Sequence, residues 1–147
     1  MIRILQKAIG MVALAAAATI VTASPAQADS GTVYFSYGRF QCSIGSDGSV
    51  GCDLTDPVGP FLTSVSFGGI AVPMPFPVRE MVINTTALPA HPGFDGGTPN
   101  TLPGGNPDIG PTTVNHAGAS CGVGFHGSFY CTSKGHRFSY YESIVAS

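Results

Sequence analysis

Two cysteine pairs constrain this chain more than any other feature. Cys42-Ser-Ile-Gly-Ser-Asp-Gly-Ser-Val-Gly-Cys52 and Cys121-Gly-Val-Gly-Phe-His-Gly-Ser-Phe-Tyr-Cys131 share one spacing, with glycine near the midpoint and apolar residues on both sides. If Cys42 faces Cys52 in an antiparallel pair, strand alternation sets Ile44 against Val50 and Phe40 against Leu54 on one face. Residues 45–49 then form the loop, with Gly48 free to take the left-handed conformation. Facing Cys121 with Cys131 sets Val123 against Phe129 and leaves His126 and Gly127 at the tip. Directly opposed, non-hydrogen-bonded positions lie close enough to be bridged. Four cysteines allow three pairings, and the spacing alone does not choose. The local pairing is the expected one because each loop is short, and each such bridge is worth about 3 kcal/mol. Zinc is a poor use of these residues, since its cysteines are usually two to four apart.

Residues 1–28 read as a secretory leader. Arg3 and Lys7 precede an apolar run from Ile9 to Val21, and Ala26-Gln27-Ala28 fits a small-x-small cleavage rule. The run is shorter than a membrane span and Pro25 breaks it. The expected product starts at Asp29, carries no membrane anchor, and is secreted to the extracellular space or cell envelope, where disulfides persist.

Residues 29–147 have the size of one domain. Losing the leader removes two of six cations and none of eight acids. Arg39, Arg79, Lys134 and Arg137 are then too few for a nucleic-acid partner or a polybasic membrane segment. Alternating runs at 32–37, 61–67, 78–85 and 134–141 read as strands, and amphipathic helices are missing. The expected fold is all-β: a small single-domain antiparallel sandwich or barrel-like sheet, with two stapled hairpins. Asp53-Leu54-Thr55-Asp56-Pro57 is expected to end the first hairpin, and 73–77 to run extended. Asp47, Asp53 and Asp56 lack the alternating oxygen ligands of a calcium loop and read as turn formers. Residues 88–118 form a long Pro/Gly-rich loop, either a recognition surface or a rigid wrap over one sheet face. Asn84-Thr85-Thr86 matches a glycosylation sequon.

The leader, Phe40-x-Cys42 with Asp47-Gly48-x-Val50-x-Cys52-Asp53, and Tyr130-Cys131-x-x-x-Gly135-His136-x-Phe138 resemble small actinobacterial secreted proteins of unknown function. The resemblance covers about residues 38–54 and 118–141. It implies secretion, disulfides and a β fold, and brings no catalytic residue to this chain.

Chemistry is thinly supplied. His91, His116, His126 and His136 show no metal-binding spacing; His126 and His136 would meet only if the two hairpins stacked. Ser120 or Ser128 with His116 or His126 and Asp108 makes a triad on paper, without a nucleophile elbow. Glu80 and Glu142 are the two glutamates available to a glycosidase pair. No catalytic residue, metal or cofactor is therefore assigned. The favoured reading is a non-catalytic binding module whose partner is a cell-envelope component or extracellular protein. Its candidate surface is His91, Phe94, Asp95, His116, His126, His136, Arg137 and Tyr140, since a stiffened loop loses little entropy on binding. The alternatives are a protease inhibitor presenting Met74–Met81 or the 88–111 stretch, a small hydrolase, or a purely structural envelope protein. N-terminal sequencing of the exported protein should read Asp29; an intact leader on the exported form would remove the secretory reading.

Overall fold

In the computed structural model, which describes residues 27–28 and 31–147, two β-sheets face one another across a shared core. The leader expected over 1–28 lies outside the described residues apart from Gln27–Ala28. The strands are β1 (Gln27–Ala28), β2 (Thr32–Tyr37), β3 (Phe40–Ile44), β4 (Val50–Val58), β5 (Thr63–Phe67), β6 (Ile70–Pro73) and β7 (Val78–Ile83). They continue with β8 (His91–Pro92), β9 (Val114–His116), β10 (Ala119–Val123), β11 (Phe129–Ser133), β12 (His136–Tyr140) and β13 (Ile144–Ala146). Sheet A runs β1-β2-β3-β4-β7-β8 and sheet B runs β6-β5-β13-β12-β11-β10-β9. Among the described residues, all strand pairings are antiparallel except β13 with β5, and Ser36 and Asp108 form an isolated parallel bridge. A single 3-10 turn at Phe125–Gly127 is the helical content among the described residues.

The cysteine register is the expected one. Cys42 faces Cys52 and Cys121 faces Cys131, and both pairs are bridged, with Cα separations of 4.0 and 4.1 Å. That register turns Phe40, Cys42, Ile44, Val50, Cys52 and Leu54 inward. Sheet B answers with Cys121, Phe129, Cys131, Phe138 and Ile144. Phe40 stacks on Phe129 at 4.6 Å between centroids, and Phe138 closes against both. The tip of the first hairpin also ties the sheets together. Gly48 has φ of 81°, a Cβ there would meet the Ala117 carbonyl at 2.5 Å, and its own carbonyl accepts from Ser133 Oγ at 2.6 Å.

Three expectations need correction. The β3–β4 ladder does end at the Phe40–Leu54 pair, inside the expected Asp53–Pro57 stretch, but the chain makes no turn there: β4 continues to Val58 with an irregular register against β7 after Asp53. The Thr55 N–H still donates to the Arg39 carbonyl at 2.9 Å, and Pro57, lacking an N–H, falls where the ladder is interrupted and needs no donor. The 61–67 strand starts only at Thr63; Phe61 has φ of 64° and is exposed. Finally, Ile70–Pro73 forms an edge strand folded back on β5 through Gly68-Gly69, and Ile144–Ala146 forms a central strand of sheet B. Neither had been expected.

The long 88–118 segment contains β8 and β9 and wraps across part of the outer face of sheet A. Strand alternation places Ser36, Gln41, Asp53 and Glu80 in one transverse row on that face. The segment hydrogen-bonds to every member of that row. Asn106 is the central fastener: its Nδ2 donates toward the carbonyls of Phe35, Cys42 and Asn100. Its backbone N–H donates to Gln41 Oε1 at 2.8 Å and its carbonyl accepts from Ser36 Oγ at 3.0 Å. Losing its side chain strands several carbonyls under the wrap. Asn106→Ala is expected to lower the unfolding free energy by about 3 kcal/mol, read as a shift in denaturant midpoint at unchanged slope.

Candidate functional site

Beside the wrap, the outer face of sheet A forms an open trough across the strands, with Asn100 of the wrap lying over Gly51. One transverse row, Tyr34, Ser43, Gly51 and Val82, ends at His91. Thr32, Gly45, Ser49 and Asn84 line the trough beyond this row, and Glu80, Asp95, Pro99 and Asn100 form its wall on the wrap side. The trough is open to solvent and has a volume of about 350 Å³. A smaller recess of about 190 Å³ adjoins it at Glu80, between Phe76, Arg79, Pro92 and Phe94.

Asn100 builds the wall. Its backbone N–H donates to Asp53 Oδ2 at 2.8 Å, and its Nδ2 donates to Asp53 Oδ1 at 2.9 Å and Glu80 Oε1 at 3.1 Å. Its Oδ1 accepts from Ser43 Oγ at 2.8 Å. Gly51 is what admits it, because a Cβ on residue 51 would sit 2.1 Å from Asn100 Oδ1. Thr101 Oγ1 donates to Asp53 Oδ2 at 2.6 Å. Both Asp53 oxygens are thus spent on fastening the wrap, and the residue is 3% exposed.

Glu80 differs from its ladder partner Asp53. It receives one hydrogen bond from Asn100 and borders both hollows. Burial pushes its carboxyl above the ordinary value of 4.5; the Asn100 hydrogen bond opposes this, while Asp53 and Asp95 add to the rise and His91 opposes it.

The eight residues expected to form one surface fall into separate places. His91, Phe94 and Asp95 gather around Glu80: His91 Nδ1 lies 2.8 Å from the Pro89 carbonyl. Phe94, 77% exposed, meets Phe76 edge-on at 6.0 Å, and Asp95 lines the trough. The other five belong to sheet B and the turn at its end. His116 Nε2 lies 2.6 Å from the Gly31 carbonyl. His126 caps the β10–β11 tip against Phe125, and His136 Nε2 lies 3.0 Å from the Thr86 carbonyl. Since Phe129 and Ser133 bound β11, and Ser133 pairs with His136, His126 and His136 stand at opposite ends of that strand. Arg137 stacks over Tyr130 at 5.4 Å, and Arg39 over Tyr140 at 5.1 Å.

The triad drawn from sequence is not assembled. Ser128 Oγ donates to the Phe125 carbonyl, Asp108 Oδ1 accepts from the Gly110 N–H, and His116 is engaged with Gly31. The sulfurs of Cys42, Cys52 and Cys131 lie within 4.8 Å of one another, but each is already in a disulfide. Sequence reading singles out neither Asn100 nor Asn106 within the 88–118 loop, and treats Glu80 only as a scarce glutamate. The alternation of Tyr34, Ser43 and Gly51 opposite the cysteines was the signal for the trough.

Comparison with family models, with curated proteins and with solved structures finds no match to this chain. No helix among the described residues is long and apolar enough to cross a membrane.

Glu80 sets a pH dependence. With its folded pKa raised, the folded state holds the proton more tightly, so stability falls as pH rises from 4.5 through the raised value. Glu80→Gln keeps an oxygen for Asn100 and removes the ionisation. It is expected to be more stable than the parent at neutral pH, and to lose that advantage below pH 4.5, as read by thermal unfolding across pH.

Proposed function

We propose that this is a secreted, non-catalytic protein of the extracellular or cell-envelope space, of the kind found among small actinobacterial exported proteins, that acts by binding. The observation carrying this reading is the trough: an open, preformed hollow of mixed polar and apolar lining whose wall is held by buried hydrogen bonds through Asn100. A wall fixed before the ligand arrives loses little entropy on binding. Binding fits better than turnover because Asp53, the carboxylate beside Glu80, has both oxygens occupied, whereas a glycosidase needs its second carboxylate free to attack or to activate water.

An inhibitor reading is less well served. Met74–Met81 is not a presented loop: Met74 and Phe76 pack on the core, and Val78 begins an interior strand. The disulfides suit an oxidising compartment.

Sedimentation with isolated cell walls tests the proposal. The parent protein and Arg137→Ala are expected to co-sediment, and Tyr34→Ala with Asp95→Asn to remain in the supernatant. Failure of the parent to sediment, or reproducible hydrolysis of ester, peptide or glycoside substrates, would overturn it.

A further inference from the structure

Resting on the binding role just proposed, we infer that the trough takes a neutral saccharide chain lying across the strands of sheet A. Its lining is chemically one-sided. Tyr34 and Asn84 offer hydroxyl and amide groups, the Ser43 and Ser49 hydroxyls keep acceptor lone pairs after donating to Asn100 and Asp47, Glu80 and Asp95 offer carboxylate acceptors, and neither Lys nor Arg lines it. Such a surface repels an anionic ligand and pairs with one that presents many hydroxyl donors and no negative charge. Carboxylates form the stronger, charge-assisted hydrogen bonds to such hydroxyls, and Tyr34 adds an aromatic body with a polar tip.

The floor also disfavours a peptide. Strands β3, β4 and β7 are each paired on both sides, so an extended chain finds no open sheet edge to join. Gly45, Gly51 and the short serines leave no deep apolar pocket to anchor a side chain; Val82 is the one outward apolar side chain of the central row. From Tyr34 to Val82 the trough crosses three strand intervals, roughly 14 Å, a span suited to an oligosaccharide rather than a single ring. The exposed Phe94 ring at the adjoining recess extends the same line beyond Glu80.

The test is titration of ¹⁵N-labelled protein with neutral tetrasaccharides (of glucose, mannose and N-acetylglucosamine), a sulfated tetrasaccharide and tetralysine. At least one neutral tetrasaccharide should shift the amides of Tyr34, Ser43, Ser49 and Asn84. Tyr34→Ala and Asp95→Asn should each weaken it about tenfold, and Arg137→Ala should not. Shifts there caused by tetralysine or the sulfated glycan alone would overturn the inference, as would saccharide shifts confined to the Arg39 and Tyr140 end. If cell walls still retain the protein while no neutral tetrasaccharide binds, the saccharide assignment falls and the binding role stands. If neither occurs, both fall.

Discussion

The fold hangs on two cross-strand bridges that meet in the middle. Cys42 and Cys52 are neighbours in sheet A, Cys121 and Cys131 in sheet B, and all four are fully buried. Three of their sulfurs lie within 4.8 Å, so the bridges pack against each other as the sheets close. A bridge between directly opposed positions fixes register, and with period-two alternation register decides which side chains enter the core. Once Cys42 and Cys52 point inward, Phe40, Ile44, Val50 and Leu54 must follow. Ser43, Gly51 and Asp53 are then turned out.

That outward face would be an ordinary wetted surface without the 88–118 wrap. The wrap carries few apolar residues; Ala90, Ile109 and Val114 join the core, and polar groups hold the rest of it. Asn100 and Asn106 each use both ends of the amide, and Asp53 supplies a charge that strengthens the bonds it accepts. Satisfied networks of this kind are rigid. A wall made this way keeps its shape with or without a ligand, which suits recognition better than a greasy flap.

Much of the architecture was legible because local rules governed it. The cysteine spacing and alternation around it set both hairpins, and the density of proline and glycine marked the wrap. What escaped depended on distant partners. Ile144–Ala146 is too short to stand out, and becomes a strand because β5 and β12 lie on either side of it. Val50–Val58 outlasts an Asp-Pro turn signal because pairing to Arg39 and Val78 outweighs it. The Gly68-Gly69 pair between apolar runs was a readable hairpin signal that the neighbouring prolines obscured. Among site residues, Asp95, Phe94 and His91 were chosen for lying on the loop, and the structure does gather them. The histidines and Arg137 of sheet B were grouped by chemistry alone, which says nothing about distance. Glu80 could not be singled out, since its burial depends on Asn100 and Gly93, both far along the chain.

The parallel contact of Ile144–Ala146 with Thr63–Phe67 has a consequence for synthesis. Sheet A can assemble nearly in the order its strands leave a ribosome, whereas the β5–β6 hairpin must wait for residues 144–146 before β5 gains its inner neighbour. During that delay Thr63, Ser64 and Val65 of β5 are paired on the β6 side only. The vectorial emergence of the chain therefore leaves one half-built layer until residues 144–146 arrive.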